Sequence, residues 1–280
     1  MKIDFAHIDS IRLSTFLRPR DGELKIGERI KFASSSIEES LLDFKGQYVL
    51  LGVEEDIGPR ANLGQAGSIY AFKSFLNRFL NMQVNEFIRV DDIMILGRVK
   101  AETLETGFAK RRQNVAELDD FLVDILVQVY NAGKTPILVG GGHNNAYPLM
   151  KAYFLSHKKK IDVINLDAHA DFRSMEGRHS GNPFSYAHYE GFLNKYAVIG
   201  LHKAYNSQAM IEELRKQNVI FTFFERYLDG EANLIDDSHE FIASLDSNRF
   251  GIELDVDAIA MMPSSAYTAS GWLRWPGRSW

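Results

Sequence analysis

The chain has 280 residues, 45% hydrophobic and 25% charged, which is typical of a globular protein long enough to bury a sizeable core. Its net charge of −5 gives no electrostatic case for binding nucleic acid or an anionic membrane. The absence of cysteine excludes disulfides and thiolate chemistry and fits a reducing cytoplasm. No run reaches the roughly 18 apolar residues of a membrane helix, and no signal-like core opens the chain.

The first 46 residues are charged and weakly patterned, and they predict a solvated packing extension. Within them, the serines at 34–36 precede acidic residues, an arrangement that favours a helix start. A strand is predicted at 48–53 and a loop at 54–67. Ser68 is then predicted to cap the next helix.

From there on, apolar strand patterns alternate with helical ones. Strands are predicted at 91–97, 135–139, 161–164, 196–201, 219–223 and 249–254, and helices at 111–132, 145–153, 207–217 and 238–245. This alternation predicts an α/β fold with a mostly parallel sheet covered on both faces. Ligands of such sheets bind beyond the carboxyl ends of the strands. We find no internal repeat or linker, so the chain 1–280 is predicted to be a single domain.

The stretch Asp167-Ala168-His169-Ala170-Asp171 follows the apolar run at 161–164. Successive side chains of a strand alternate faces, so Asp167, His169 and Asp171 share a side if the extended conformation continues that far. Two carboxylates and an imidazole would be costly to bring together without a cation. The stretch therefore predicts a metal site.

Two other predicted strands end in residues of the same types. The first is followed by Gly140-Gly141-Gly142-His143 and the second by Asp255-Val256-Asp257. Imidazole and carboxylate ligands suit manganese, zinc or iron rather than calcium. Two histidines and four aspartates exceed what one open catalytic ion takes, so we predict a two-metal site.

Together and in this order, these three motifs resemble the ureohydrolase family of arginases, agmatinases and formiminoglutamases. The resemblance runs from about residue 48 to 271, and the triple glycine and the Ser-Gly-Asn-Pro-Phe sequence at 180–184 are most similar to formiminoglutamases. It implies an arginase-like three-layer αβα sandwich with two Mn²⁺ ions per chain. Members of the family often form trimers or hexamers, so a homo-oligomer is the expected assembly.

The resemblance also implies how the ligands divide. One ion takes His143 and Asp171, the other takes His169 and Asp257, and Asp167 and Asp255 bridge both. A water shared by the two ions is the implied nucleophile. Asp171 is the implied catalytic residue, which accepts a proton from that water and passes one to the leaving amine.

Several neighbouring residues keep two interpretations each. Arg173 binds a substrate carboxylate or forms a surface ion pair, and Ser180 and Asn182 bind the amino-acid end of the substrate or shape the loop. The triple glycine is a tight turn or a close approach of backbone to metal or substrate. By strand alternation, Glu253 shares a face with Asp255, either supporting the site or forming a plain ion pair.

The expected function is manganese-dependent hydrolysis of a linear amidine C–N bond, with N-formimino-L-glutamate giving L-glutamate and formamide. The expected partner is therefore a small amidine or guanidino amino-acid-like substrate, with no nucleic acid or membrane. An agmatinase or other guanidino hydrolase is one alternative, and an inactive metal-binding subunit is another. A third alternative, a nucleotide-binding domain, is supported only by the glycine-rich sequence.

The chain departs from the family pattern at several positions. Asn144 stands where formiminoglutamases commonly have Glu, Phe184 where arginases have His, and Ala260 where a third acid is usual. Family members continue with a further strand and helix carrying an acid that grips the amidine, so we expect a C-terminal part of the domain to be missing. The stretch 272–280 contains all three tryptophans and is interpreted as an out-of-frame or cloning-derived tail, or as an aromatic tail that docks on the body of the protein or on a partner.

Overall fold

The computed structural model describes residues 1–8, 13–34, 36–245 and 249–259. Its strands are β1 (Lys2–Ala6), β2 (Lys31–Phe32), β3 (Tyr48–Glu54), β4 (Ile93–Glu102), β5 (Thr135–Val139), β6 (Ile161–Leu166), β7 (Leu193–Leu201), β8 (Ile220–Phe223) and β9 (Phe250–Leu254). Its helices are α1 (Ile26–Arg29), α2 (Ile37–Asp43), α3 (Ile57–Ala61), α4 (Ala71–Phe79), α5 (Phe108–Asn131), α6 (Ala146–His157), α7 (Pro183–Tyr189), α8 (Gln208–Lys216), α9 (Phe224–Leu228) and α10 (Leu234–Ser244). Short 3-10 turns cover Ser68–Tyr70, Val90–Asp92, His143–Asn145 and Val256–Ala258.

The strands form two sheets. The first has the order β1-β4-β3-β5, with β2 also on β4, and only β1 runs antiparallel to its neighbour. The second has the order β8-β7-β6-β9 and is parallel throughout. Within the described residues no hydrogen-bonded ladder joins the edge strands β5 and β9. The predicted parallel α/β architecture is confirmed, with its strands divided between two sheets.

Both faces of each sheet are covered, as strand alternation requires. In β3, Leu51 packs in a core with α5, while its neighbour Leu50 packs on the opposite face with α4. In β6, Val163 packs towards α6 and α7, while Ile164 packs towards Phe241 of α10. Successive apolar residues pointing to opposite faces account for the near-continuous apolar runs and for the three layers.

Three details near the amino end differ from the sequence predictions. The predicted loop at 54–67 contains α3, and Ser68 does not cap a helix, because its hydroxyl donates to the carbonyl of Glu55 at 2.7 Å. The predicted solvated extension includes buried apolar residues such as Ile26 and Ile30. Ser36, by contrast, caps α2 through its side chain, which confirms that helix start.

Two of the sequence predictions fall on undescribed residues. Ala260 and the stretch 272–280 lie outside the residues that the structure describes. Within the described part of the chain, no helix combines the length and the apolar character needed to cross a membrane.

Candidate metal centre

The three motifs come together at the carboxyl ends of three parallel strands. His143 follows β5 after the glycine turn, Asp167 follows β6 directly, and Asp255 follows β9 directly. Although β5 and β9 belong to different sheets, His143 Nδ1 is only 3.1 Å from Oδ2 of Asp255. The site therefore bridges the two sheets where their edge strands end.

A first group of ligand atoms surrounds His143. Its Nδ1 lies 3.2 Å from Oδ2 of Asp167, 3.0 Å from Oδ2 of Asp171 and 3.1 Å from Oδ2 of Asp255. Despite these distances, Nδ1 has hydrogen-bonding geometry to none of the described residues. A nitrogen aimed between three carboxylate oxygens, rather than at one of them, fits a cation held by all four groups.

A second group adjoins the first and shares Asp167 with it. Nδ1 of His169 lies 3.0 Å from Oδ2 of Asp257 and 3.6 Å from Oδ1 of Asp167. The ligand atoms within each group all lie within 4.8 Å of one another. Asp255 falls only in the first group, and its Oδ1 accepts from the backbone N–H of Asp257 at 2.9 Å. The two expected pairs lie in different groups and Asp167 is common to both, but Asp255, which was also expected to bridge, belongs to the first group alone.

The charges of the site call for cations. Burial and the neighbouring Asp167 raise the pKa of Asp171 to about 6. Burial also raises the pKa of Asp257 to about 7, with Asp255 and Asp167 adding repulsion. The pKa of His143 is raised well above its usual value, because the surrounding carboxylates outweigh its burial. Crowded carboxylates that cannot all ionise without a positive partner are the electrostatic signature of an ion site.

The backbone brings the ligands together differently from the predicted strand alternation. β6 ends at Leu166, so Asp167, His169 and Asp171 lie beyond the extended segment. Asp171 takes a left-handed conformation with φ of 44°, and its side chain reaches the same group as Asp167. His169 faces the second group instead. The sequence therefore predicted which residues would gather here, whereas the turn after β6 distributes them between the two groups.

The glycine turn before His143 is held by a buried carboxylate. Glu55, fully buried, accepts from the backbone N–H of Gly142 at 2.6 Å and from that of Gly58 at 3.0 Å. Gly141 has φ of +76°, and a Cβ there would lie 2.3 Å from Nδ2 of Asn145. The triple glycine is therefore a tight turn packed against protein, one of the two interpretations left open by the sequence.

A buried arginine holds the turn from the other side. Nη2 of Arg178 donates to the carbonyl of Asn144 at 3.0 Å, and its Nε donates to Oδ2 of Asp119 at 2.9 Å. Its guanidinium carbon lies 4.5 Å from the ring centroid of Tyr147 and 5.0 Å from that of Tyr186. Burial raises the pKa of Asp119, and Arg178 opposes that rise. Arg178 thus fixes the residue next to His143.

The metal groups open into a cavity of about 1850 Å³. Both Arg173 and Ser180 line this cavity. The Arg173 side chain is 53% exposed, with Nη2 3.9 Å from Oε1 of Glu176, a loose contact that leaves the guanidinium accessible. The Ser180 hydroxyl accepts from Nδ2 of Asn62 at 3.3 Å. Both residues are placed where a substrate in the cavity can contact them.

Asn182 has the contacts of a loop-forming residue. Its side chain is fully buried, and its Oδ1 accepts from Nη1 of Arg178 at 2.7 Å and from the backbone N–H of His179 at 3.0 Å. Its Nδ2 donates to the carbonyls of Ser174 and Gly177 at 3.2 and 2.9 Å. Every hydrogen-bonding position of the amide is occupied within the loop, so we correct its candidate role from substrate binding to loop conformation.

The sequence analysis missed some residues of the site and left one other without an assigned role. Glu55 and Arg178 belong to no recognisable sequence motif, because the turn residues that they hold are distant in the chain. The Tyr205 ring stacks on His169 with centroids 5.5 Å apart. Glu253, left unassigned by the sequence, lies with Oε2 4.0 Å from Nε2 of His143, and burial raises its pKa to about 7. The signal for Glu253 was the alternation of side chains along a strand, which places residues two positions apart on the same face.

A three-layer α/β fold with adjoining His and Asp groups at its strand ends is typical of metal-dependent hydrolases. The chain belongs to the arginase family, whose model matches residues 58–272. The resemblance recognised in the sequence is thereby confirmed, and with it the enzyme class, a hydrolase of C–N bonds in linear amidines.

Individual relatives agree with this assignment. Formimidoylglutamase from Rhodococcus jostii (strain RHA1) is 28% identical over 240 residues, covering 80% of this chain and 69% of the relative. Formimidoylglutamase from Klebsiella pneumoniae (strain 342) is 28% identical over 240 residues, covering 81% and 70%.

Solved structures show the same fold. Trypanosoma cruzi formiminoglutamase with Mn²⁺₂ has a TM-score of 0.67 at 22% identity, with 89% of this chain and 81% of the other covered. Formimidoylglutamase from Bacillus subtilis has a TM-score of 0.68 at 18% identity, with 90% and 77% covered.

Proposed function

We propose that this chain binds two Mn²⁺ ions and hydrolyses N-formimino-L-glutamate to L-glutamate and formamide. One observation carries the proposal: Asp167 belongs to both ligand groups, with Oδ2 beside His143 and Oδ1 on the side of His169. Two adjoining sites that share a carboxylate are the usual design for binding a pair of ions. The names of the relatives, formimidoylglutamases, support the substrate.

The ligand set supports manganese. Four carboxylates and two imidazoles, with no thiolate, favour a hard or borderline divalent ion. Bound there, a pair of such ions supplies Lewis acidity that makes water a stronger acid near neutral pH. His143, Asp171 and Asp255 would hold one ion, and His169 and Asp257 the other, with Asp167 common to both.

The residues around the ions have separate tasks. The Asp171 carboxylate borders the cavity, where it can accept a proton from the attacking water and return it to the leaving amine. Arg173 can bind a substrate carboxylate with two parallel hydrogen bonds, and the Ser180 hydroxyl can accept or donate one beside it. A glutamate leaving group, which carries two carboxylates, suits a cavity with an accessible guanidinium.

Elemental analysis after manganese loading and desalting, followed by product assays, tests the proposal. We expect about two manganese per chain, and equal release of glutamate and formamide from N-formimino-L-glutamate. Release of urea from agmatine or another guanidino compound would instead identify a guanidino hydrolase. Bound manganese without turnover on any amidine would identify a metal-binding subunit. Folded protein that retains no manganese would contradict the ligand assignment.

The expected assembly is a homo-oligomer. Light scattering coupled to size-exclusion chromatography measures the mass directly. A mass equal to that of one chain would contradict this part of the proposal.

A further inference from the structure

A buried polar chain connects the shared carboxylate to the strand beside it. Asn165, in β6, is fully buried, and its Nδ2 donates to Oδ2 of Asp167 at 3.0 Å. The same Nδ2 donates to the hydroxyl of Tyr196, in β7, at 3.0 Å. That hydroxyl in turn donates to the carbonyl of Ala170 at 3.0 Å. The chain thus begins at the shared ligand and ends within the 167–171 turn.

The chemistry of the partners determines which way the Asn165 amide points. As the proposed shared ligand, Asp167 is a carboxylate, and its oxygens can only accept hydrogen bonds. The Tyr196 hydroxyl uses its single proton on Ala170, so it must accept from Asn165. Both neighbours therefore require the NH₂ group of the amide.

This orientation leaves the amide oxygen of Asn165 without a hydrogen-bond partner among the residues that the structure describes. An unpartnered buried oxygen is unfavourable, and such exceptions call for an explanation. An apolar side chain at position 165 would avoid the unpartnered oxygen, but it would leave Oδ2 of Asp167 without its hydrogen-bond donor.

The consequence falls on the Asp167 carboxylate, which is held at both oxygens. Asn165 holds Oδ2, the atom 3.2 Å from Nδ1 of His143. The backbone N–H of His169 holds Oδ1 at 2.7 Å, on the side of the second group. With both ends fixed, the carboxylate cannot rotate to offer both oxygens to one group.

Tyr196 also supports the first group through ring contacts. Its ring stacks on that of Phe184 with centroids 4.2 Å apart and planes 20° apart. Phe184 in turn meets the His143 ring edge-on, at 5.3 Å and 89°. The hydroxyl and the ring of one residue therefore reach both Asp167 and His143 through one intermediary each.

We propose that Asn165 is a positioning residue that holds the Asp167 carboxylate with one oxygen turned towards each ligand group, and that Tyr196 orients the Asn165 amide. The inference rests on the proposed function in that both groups bind divalent cations. It adds that occupation of both sites together depends on a side chain that touches neither ion.

The test is manganese titration of the full chain, followed by electron paramagnetic resonance, which distinguishes a coupled pair of ions from isolated ones. Asn165→Leu is expected to weaken manganese binding by about 10- to 100-fold, the usual effect of losing an outer partner of a ligand. It is also expected to reduce the coupled signal. Tyr196→Phe should shift binding in the same direction by a smaller factor.

Asn114→Leu is the matched control. Asn114 is also fully buried, donates one hydrogen bond to Thr103 at 2.7 Å, and has an unpartnered oxygen among the described residues, but it lies in α5. We expect Asn114→Leu to lower the melting temperature of the metal-free protein and to leave the manganese titration unchanged.

Four results would overturn the inference. One is an Asn165→Leu chain that binds two manganese as tightly as the parent with the same coupled signal. Another is an Asn114→Leu chain whose manganese binding is weakened as much as that of Asn165→Leu, which would show that any damage to the core has this effect. If Asn165→Leu does not fold, a manganese titration of Tyr196→Phe identical to that of the parent chain would contradict the inference. A parent chain that shows no coupled pair would contradict the proposed function itself, and the inference with it.

Discussion

Oδ2 of Asp167 lies 3.2 Å from Nδ1 of His143, although the two residues follow strands of different sheets. The first ligand group combines His143, which follows a strand of the first sheet, with carboxylates that follow strands of the second, whereas the second group follows strands of the second sheet alone. A cation bound in the first group should therefore hold the two sheets together in addition to any role in catalysis.

Asp167→Asn removes the negative charge of the carboxylate that the two groups share. We expect manganese binding to weaken at both sites by more than the roughly 10- to 100-fold that follows loss of an outer partner, and hydrolysis to be abolished. Elemental analysis and formamide release measure the two effects. Asp162→Asn is the control, since Asp162 is equally buried in β6 but accepts from Asn194 and Lys195. An active Asp167→Asn chain with both metals would contradict the shared ligand.

Manganese binding should release protons. Burial lowers the pKa of His169, but hydrogen bonds with Asp167 and Asp257 outweigh it and raise that pKa to about 11 in the metal-free chain. The protonated ring stabilises the metal-free fold fully below its unfolded pKa of about 6.5, and this stabilisation is lost as the pH rises through about 11. A cation must displace this proton, so affinity should increase from pH 6 to 8.

Calorimetry of manganese binding in buffers of different ionisation enthalpy counts the released protons. Asp257→Asn removes one of the two carboxylates that raise the pKa of His169, so it should release fewer protons. Binding heats that do not depend on the buffer would contradict His169 as a ligand that is protonated in the metal-free chain.

Arg178→Met should affect stability and metal binding separately. It leaves Asp119 buried without its cation, at a cost of about 3–5 kcal/mol in the free energy of unfolding. It also removes the donor to the Asn144 carbonyl, which should loosen the turn that carries His143 and weaken manganese binding. Adding Asp119→Leu should recover much of the stability, as measured by denaturant unfolding, without recovering metal affinity. Full recovery of both in the double variant would show that Arg178 has no positioning role.

Gly58 is a place where the backbone must come close to the site. A Cβ there would lie 1.7 Å from Oδ1 of Asn144, so Gly58→Ala should displace the residue next to His143. We expect a loss of about 1–3 kcal/mol in stability together with weaker manganese binding, measured by unfolding and titration. Asn144→Ala in the same chain should restore part of both. Gly107→Ala, where no atom lies within 4 Å, is the neutral control.

Arg173→Met tests the substrate side of the cavity. Loss of a charged hydrogen bond worth about 1.5–3 kcal/mol should raise KM for N-formimino-L-glutamate by roughly 10- to 100-fold. The value of kcat should change little if Arg173 binds the substrate and transition state equally. Arg173→Lys should rescue only partly, because it cannot form two parallel hydrogen bonds. Arg18→Met, at another exposed arginine, should leave both constants unchanged. A fall in kcat at constant KM would contradict a binding role.

The sequence by itself determined the layered α/β fold and singled out the candidate ligand residues. Strand and helix periodicities depend on local chain geometry, so they can be recognised in the sequence. Asp, His and Gly residues that follow several predicted strands rarely occur together by chance, so they indicate a functional site. The same information reached Glu253, because it lies in β9 two residues before Asp255.

Only the tertiary structure decided the division into two sheets, the placement of Asp255 in one ligand group rather than both, and the residues that hold the candidate ligands. Asn182 illustrates the difference, because its motif suggested substrate contact, yet its amide is fully used by four partners in the surrounding loop: Ser174, Gly177, Arg178 and His179. Glu55, Arg178 and Tyr196 act on partners up to about ninety residues away. Contacts over such separations are set by how the elements pack, and no spacing in the sequence encodes them.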